Sequence, residues 1–179
     1  MANANANATG NVHGPTRRTT LLDRTHAFCA ALLSSSSSPS PPAPADLVGA
    51  YFSSSDRHAV APPAPRITEH GPSWASERLP FLGKTFSGPE SCIEYFEVLG
   101  RVLDMQLPAD AFPPKEGFIV DAEAGMVSVV GRGRFVSKKT GKGWDEEFVY
   151  RFSEYDDEGK FGHWEIWADP LSAWEAVGE

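Results

Sequence analysis

The chain has 179 residues and a formal net charge of −8, with 41% hydrophobic and 11% aromatic residues. That length suits one domain with a real core, and the negative charge argues against nucleic acid or an anionic membrane surface as a main partner, since both select basic patches. No apolar run approaches the roughly 20 residues of a membrane helix, and the N-terminus lacks an apolar signal core, so a cytoplasmic location is expected.

Residues 1–17 are polar and low in complexity and are expected to form a disordered tail. A single domain is expected over 18–179. Its first element, "TTLLDRTHAFCAALL" (19–33), reads as a helix, because Leu21, Leu22, Thr25, Phe28, Cys29 and Leu32 recur at spacings of three and four. A Ser/Pro-rich insertion at 34–44 follows, then a short helix over 45–53 with Leu47, Val48, Tyr51 and Phe52 inward. "PRITEHGPSW" (65–74) reads as a strand and its exit. "SGPESCIEYFEVLGRVLD" (87–104) is the clearest helix: Ser87 is placed to cap it, Pro89 and Glu90 suit its first turn, and Ile93, Phe96, Leu99, Val102 and Leu103 make its buried face.

Beyond residue 116 the period changes to two. Strands are expected in "GFIVDA", "GMVSVVGRGRFVSK", "GWDEEFVYRFSEY" and "KFGHWEIWAD", joined by glycine-bearing turns, before a short closing segment "PLSAWEAVG". Helices followed by an antiparallel meander make an α+β fold. Gly131 and Gly133 in the long strand predict strong curvature. A curved antiparallel sheet wrapped around three N-terminal helices leaves a cone with an open mouth, a common place for a ligand.

Candidate chemistry lies on three strands. In "GWDEEFVYRFSEY" one face reads Trp144, Glu146, Phe148, Tyr150 and Phe152, so Glu146 is a carboxylate among aromatics and a candidate proton carrier. In "KFGHWEIWAD" the apolar set Trp164, Ile166 and Ala168 fits the inner face. The mixed set His163, Glu165, Trp167 and Asp169 fits an outer face, where Trp167 resembles an interface aromatic. Asp169, at the strand end, can reach the mouth. In "RITEHGP", Glu69 and His70 point to opposite faces, so only one enters the interior, where it would be a general base. Phe28, Trp74, Phe148, Tyr150 and Trp164 are expected as pocket walls. Cys29 and Cys92 are isolated and read as buried thiols, and neither a metal nor a cofactor is expected.

The closing stretch "YDDEGKFGHWEIWADPLSAWEAVG" resembles the final hairpin, Trp-bearing strand and Asp-Pro exit of the SnoaL-like group in the nuclear transport factor 2-like superfamily. The resemblance extends from about Thr19 to Gly178. It implies a cone-shaped fold, homodimers through the outer face of the sheet, and metal-free acid–base catalysis by isomerases, polyketide cyclases or dehydratases. Set against ketosteroid isomerase, Phe28 and Phe148 fall where that enzyme has its oxyanion Tyr and Asp, while the base position falls on Glu69 or His70. Asp169 is the nearest match to the late acidic residue of SnoaL-type cyclases. The expectation is an enzyme of secondary metabolism acting on an apolar aromatic, polyketide- or terpenoid-like substrate. In it Glu69 or His70 acts as base and Glu146 or Asp169 as proton donor. The alternative is a non-catalytic ligand-binding or dimerisation module of the same fold.

Overall fold

The computed structural model describes residues 16–37, 42–54 and 65–178. Residues 1–15 of the expected tail and 38–41 of the Ser/Pro segment lie outside the described residues. Helix α1 spans Arg17–Ser37 and so runs into the expected insertion. Serine is accommodated there because its hydroxyl can turn back on the preceding turn, as Ser34 Oγ does in donating to the Ala30 carbonyl at 3.1 Å. The expected stripe is buried from Leu21 through Thr25, Phe28 and Cys29 to Leu32. Helix α2, Pro44–Tyr51, opens with a proline in its first turn, where the missing N–H leaves no bond unmade.

Strand β1 is Arg66–Glu69. After a 3-10 turn at Ser73–Glu77, the chain returns as β2, Lys84–Ser87, antiparallel to β1. This strand was not expected, and it corrects the reading of Ser87. That residue pairs with Arg66 in the sheet, and the cap position of the next helix belongs to Gly88, whose φ of 88° suits glycine. Helix α3, Pro89–Val102, buries Cys92, Tyr95 and Val98 most deeply, so its inner face is turned from the expected one. Ile93, Phe96, Leu99 and Val102 pack at its margins. Residues 103 and 104 leave the helix to start strand β3, Leu103–Gln106.

Strands β4 (Ile119–Asp121), β5 (Met126–Ser137), β6 (Gly143–Ser153) and β7 (His163–Trp167) follow, and helix α4 (Pro170–Val177) ends the fold. The seven strands form one curved, unclosed sheet in the order β2-β1-β7-β6-β5-β3, with β4 also on β5. The sheet is mixed, not antiparallel throughout: β1 lies parallel to β7, with Arg66 opposite His163. A parallel pair needs a long crossover, and here the chain from α3 to β6 supplies it. Helices α1, α2 and α3 are joined by a fourth at the C-terminal end, so the expected three N-terminal helices are not the whole helical layer.

The core is aromatic. Phe28 is fully enclosed, with the rings of Phe161 and Trp164 each 5.1 Å away and Phe52 and Phe152 close by. It is therefore a packing residue, not the pocket wall that was expected. On β5, a Cβ at Gly131 would lie 2.3 Å from the Phe148 ring, and one at Gly133 would lie 2.7 Å from Leu107. These glycines make room for large side chains on the inner face of the curved sheet.

Candidate active site

Side chains alternate across β1, so Ile67 and Glu69 enter the interior while Thr68 faces out. Glu69 is 7% exposed. Its Oε2 accepts a hydrogen bond from the Tyr95 hydroxyl of α3 at 2.7 Å. No hydrogen bond from any described residue reaches its Oε1. Burial pushes this carboxyl up to about 7, against the pull of the Tyr95 hydrogen bond and with a further push from the charge of Glu146. Glu69 thus sits near the midpoint of its titration at neutral pH, as a general base should.

Glu69 borders an internal cavity between the sheet, α3 and α4. Its walls include Phe81, Leu99, Phe135, Phe148 and Ile166, and Ala173 of α4 closes one side. The cavity volume is about 40 Å³, room for a few waters. Tyr150 also lines it, 6% exposed, and its hydroxyl makes no hydrogen bond with another described residue. Burial raises the Tyr150 and Tyr95 phenols well above their ordinary range, so both remain protonated donors.

Glu146 stands at the edge of this cavity and borders a second, open groove of about 720 Å³. Its Oε2 accepts from Trp144 Nε1 at 2.9 Å and from the backbone N–H of Asp169 at 3.2 Å. Burial raises its pKa, outweighing those two hydrogen bonds. Two carboxyls of raised pKa and two phenols therefore meet around one small apolar space.

Other expected site residues lie elsewhere. His70 follows the end of β1 on the outer face. Its Nε2 is hydrogen-bonded to Glu165 Oε1 at 3.1 Å, and its ring stacks on Trp167 at 4.2 Å with the planes 5° apart. It cannot serve the cavity as base. Glu165 is buried on that same face. Burial alone would raise its carboxyl, but Arg151, His163 and His70 together hold it below the ordinary range. Trp74 is 58% exposed and packs edge-on against Trp174 of α4, outside the cavity. Trp164 is core: it contacts Phe28, Tyr95, Tyr150 and Phe152 but does not line the cavity.

Asp169 does border the cavity, yet its carboxylate caps α4. It accepts from the N–H of Leu171 and Ser172, at 3.0 and 3.2 Å, and from the Ser172 hydroxyl. The Ser172 hydroxyl and amide hold its pKa below the ordinary carboxylate range. A permanently charged cap is a poor proton donor at neutral pH. Tyr95 went unnoticed in the sequence, although Cys92, Tyr95, Val98 and Leu99 carry their own three- and four-residue spacing. Among the described residues no group of three or more His, Cys, Asp or Glu is arranged to hold a metal ion, and no helix is long and apolar enough to cross a membrane.

No family model matches this chain, and no curated protein does either. Solved structures do. A nuclear transport factor 2-like protein of unknown function from Burkholderia pseudomallei is 15% identical, with a TM-score of 0.64 over 89% of this chain and 98% of that one. TerC, co-crystallised with polyporic acid, is 16% identical, with a TM-score of 0.62 over 89% and 99%. A candidate SnoaL-like polyketide cyclase from Jannaschia is 15% identical, with a TM-score of 0.57 over 94% and 97%. The chain has the nuclear transport factor 2-like fold.

Proposed function

We propose that this protein is an acid–base enzyme of the isomerase, cyclase or dehydratase kind, acting on a small apolar molecule. The observation that carries the reading is Glu69: a buried carboxyl with one oxygen held by Tyr95 and the other open beside a cavity. In this reading Glu69 Oε1 takes a proton from the substrate. The Tyr150 hydroxyl, uncommitted to other described residues, donates a hydrogen bond to the oxygen on which negative charge develops. Glu146 returns a proton at the other side of the cavity. Tyr95 positions Glu69 and lowers its pKa against the larger upward push of burial. Solved structures of this fold that bear isomerase and cyclase names support the reaction class; an aromatic, polyketide- or terpenoid-like substrate and a place in secondary metabolism belong to this proposal.

The test is to screen aromatic and polyketide-like compounds by tryptophan fluorescence and then to measure turnover. Glu69→Gln should lower the rate by about 10²-fold or more, while His70→Ala should leave it within about threefold, since His70 faces away. Turnover that survives Glu69→Gln within tenfold overturns the assignment. One observation favours the second reading, a non-catalytic module: ligand sites usually hold ~300–1,000 Å³, and this cavity is far smaller. In the catalytic reading α4 and the 73–83 segment yield to admit substrate. In the reading as a dimerisation module no compound binds at all, and in the reading as a ligand-binding module compounds bind without turnover. For the outer face we propose a homodimer, because Val130, Val149 and Trp167 lie side by side across β5, β6 and β7 and remain partly exposed. Sedimentation as a monomer at micromolar concentration overturns that.

A further inference from the structure

The cavity has a charge character of its own. Glu69, Glu146 and Asp169 border it, and no Lys, Arg or His is among its lining residues. The remaining lining is apolar or aromatic, with the rings of Phe81, Phe135, Trp144, Phe148 and Tyr150 around the space. Aromatic faces and carboxylates attract cations and repel anions. Arg132 and Arg134 border the outer groove instead, where each is paired with an aspartate, Asp110 and Asp145, and Lys84, opposite Glu69 on β2, turns its ammonium over the Phe86 ring and does not line the cavity. Two acceptors inside are uncommitted to other described residues: Glu69 Oε1 and the Tyr150 hydroxyl oxygen, both on side chains more than nine-tenths buried. The fully buried side-chain atoms without a partner among the described residues are Glu154 Oε2 and Trp164 Nε1, so these two acceptors are open to the cavity and free to meet a ligand there. Size points the same way, because a space for a few waters admits an ammonium or hydroxyl head and crowds a carboxylate or phosphate.

We infer that the cavity selects its ligand by charge, taking an apolar amine in its ammonium form in preference to the matching alcohol and rejecting the matching carboxylate, with Glu146 at the neck and Glu69 inside as the residues that set this order. The inference rests on the reading of the cavity as the substrate site and narrows its substrate class; it does not depend on turnover. The ammonium would donate to Glu69 Oε1 and to the Tyr150 oxygen, with its apolar stem trailing past Glu146 toward the groove. An arriving cation favours the ionised form of Glu69, so amine binding at neutral pH releases a proton. The titratable groups bordering the cavity are Glu69, Glu146, Asp169, Tyr95 and Tyr150, and Lys84 of β2 lies opposite Glu69 outside it; the phenols stay protonated and Asp169 stays charged, which leaves the two glutamates as the proton source.

The experiment uses the full chain and three probes of matched shape: benzylamine, benzyl alcohol and benzoate. Calorimetry near neutral pH, in two buffers of different ionisation enthalpy, reads affinity and proton release together. Benzylamine is expected to bind at least about tenfold more tightly than benzyl alcohol, a modest share of the attraction between unit charges a few ångströms apart, and to release a proton; benzoate is expected not to bind. Glu69→Gln and Glu146→Gln are expected to shrink the amine's advantage while benzyl alcohol still binds, which also shows that the variants are folded. Benzoate binding as well as the alcohol, an amine preference that survives both substitutions, or binding of none of the three overturns the inference. Charge selection without any turnover would sink the proposed catalysis and leave this inference standing. Turnover of a substrate that enters by a carboxylate would do the reverse.

Discussion

Replacing Glu69 with glutamine should change the pH dependence of stability in a defined direction. The folded carboxyl titrates at about 7, against an ordinary 4.5, because burial disfavours its charged form. The native state therefore prefers the protonated acid. The stability that comes with this preference is fully present below about pH 4.5 and is lost as pH rises through about 7. At about 1.36 kcal/mol per pH unit, the gap amounts to about 3 kcal/mol, most of it lost between about pH 5 and about pH 8. Glutamine keeps the shape and can still accept from Tyr95, but it does not titrate. Urea unfolding of both proteins across that range gives two curves. Whatever constant offset glutamine introduces, the wild type should lose about 2–3 kcal/mol relative to the variant on going from acid to alkali. Parallel curves would mean that Glu69 is not held in a low-dielectric site, and the argument for it as a base of tuned strength would go with them.

Four further outcomes are expected. Tyr95→Phe removes the hydrogen bond that holds Glu69 down, so the pH at which Glu69 ionises, followed by NMR of labelled glutamate carboxyls, should rise by about one pH unit; an unmoved titration would show that the bond does not tune it. Asp169→Ala strips the cap from α4 and should cost about 1 kcal/mol in urea unfolding, whereas an unchanged midpoint would mean that the helix is held by packing alone. Gly131→Ala should destabilise by ~1–3 kcal/mol through collision with the Phe148 ring. Gly100→Ala, in the last turn of α3 with open space around it, should stabilise by up to ~0.5–1 kcal/mol; equal effects at both sites would refute the packing account.

The period-two signal of β6 was enough to send Phe148, Tyr150 and Phe152 inward, because a strand with one buried face admits no slip of one residue. The stripe of α1 was equally plain. The choice between Glu69 and His70 was not legible, since adjacent strand residues always oppose each other and only the pairing of β1 with β7 decides which face is inside. That same non-local pairing hid the mixed character of the sheet. Tyr95 was missed because α3 carries two overlapping apolar stripes, and the partners that favour one over the other come from elsewhere in the chain. Ser87 read as a cap because a serine two residues before a helical proline looks like one; the pairing with Arg66 that claims it lies outside any local window. Asp169 was identified as a carboxylate near the mouth, but its engagement with Ser172 depends on α4 being a true helix.

The parallel pairing of β1 with β7 also bears on how the molecule is made. Arg66 lies opposite His163, roughly a hundred residues away along the chain, and contacts of such long range close late in folding because the intervening loop must first be ordered. During synthesis, the strand that carries Glu69 emerges early and has only β2 to pair with until nearly the whole chain has followed. The wall that completes the cavity, Ile166 through Ala173, emerges last of all. A ribosome-bound or prematurely terminated chain lacking β7 and α4 still has α2 to set against α1 and α3, yet it lacks the wall that encloses Glu69. The unusual ionisation of Glu69 is therefore a marker of completed folding, and its appearance in a refolding time course should coincide with the last structural step.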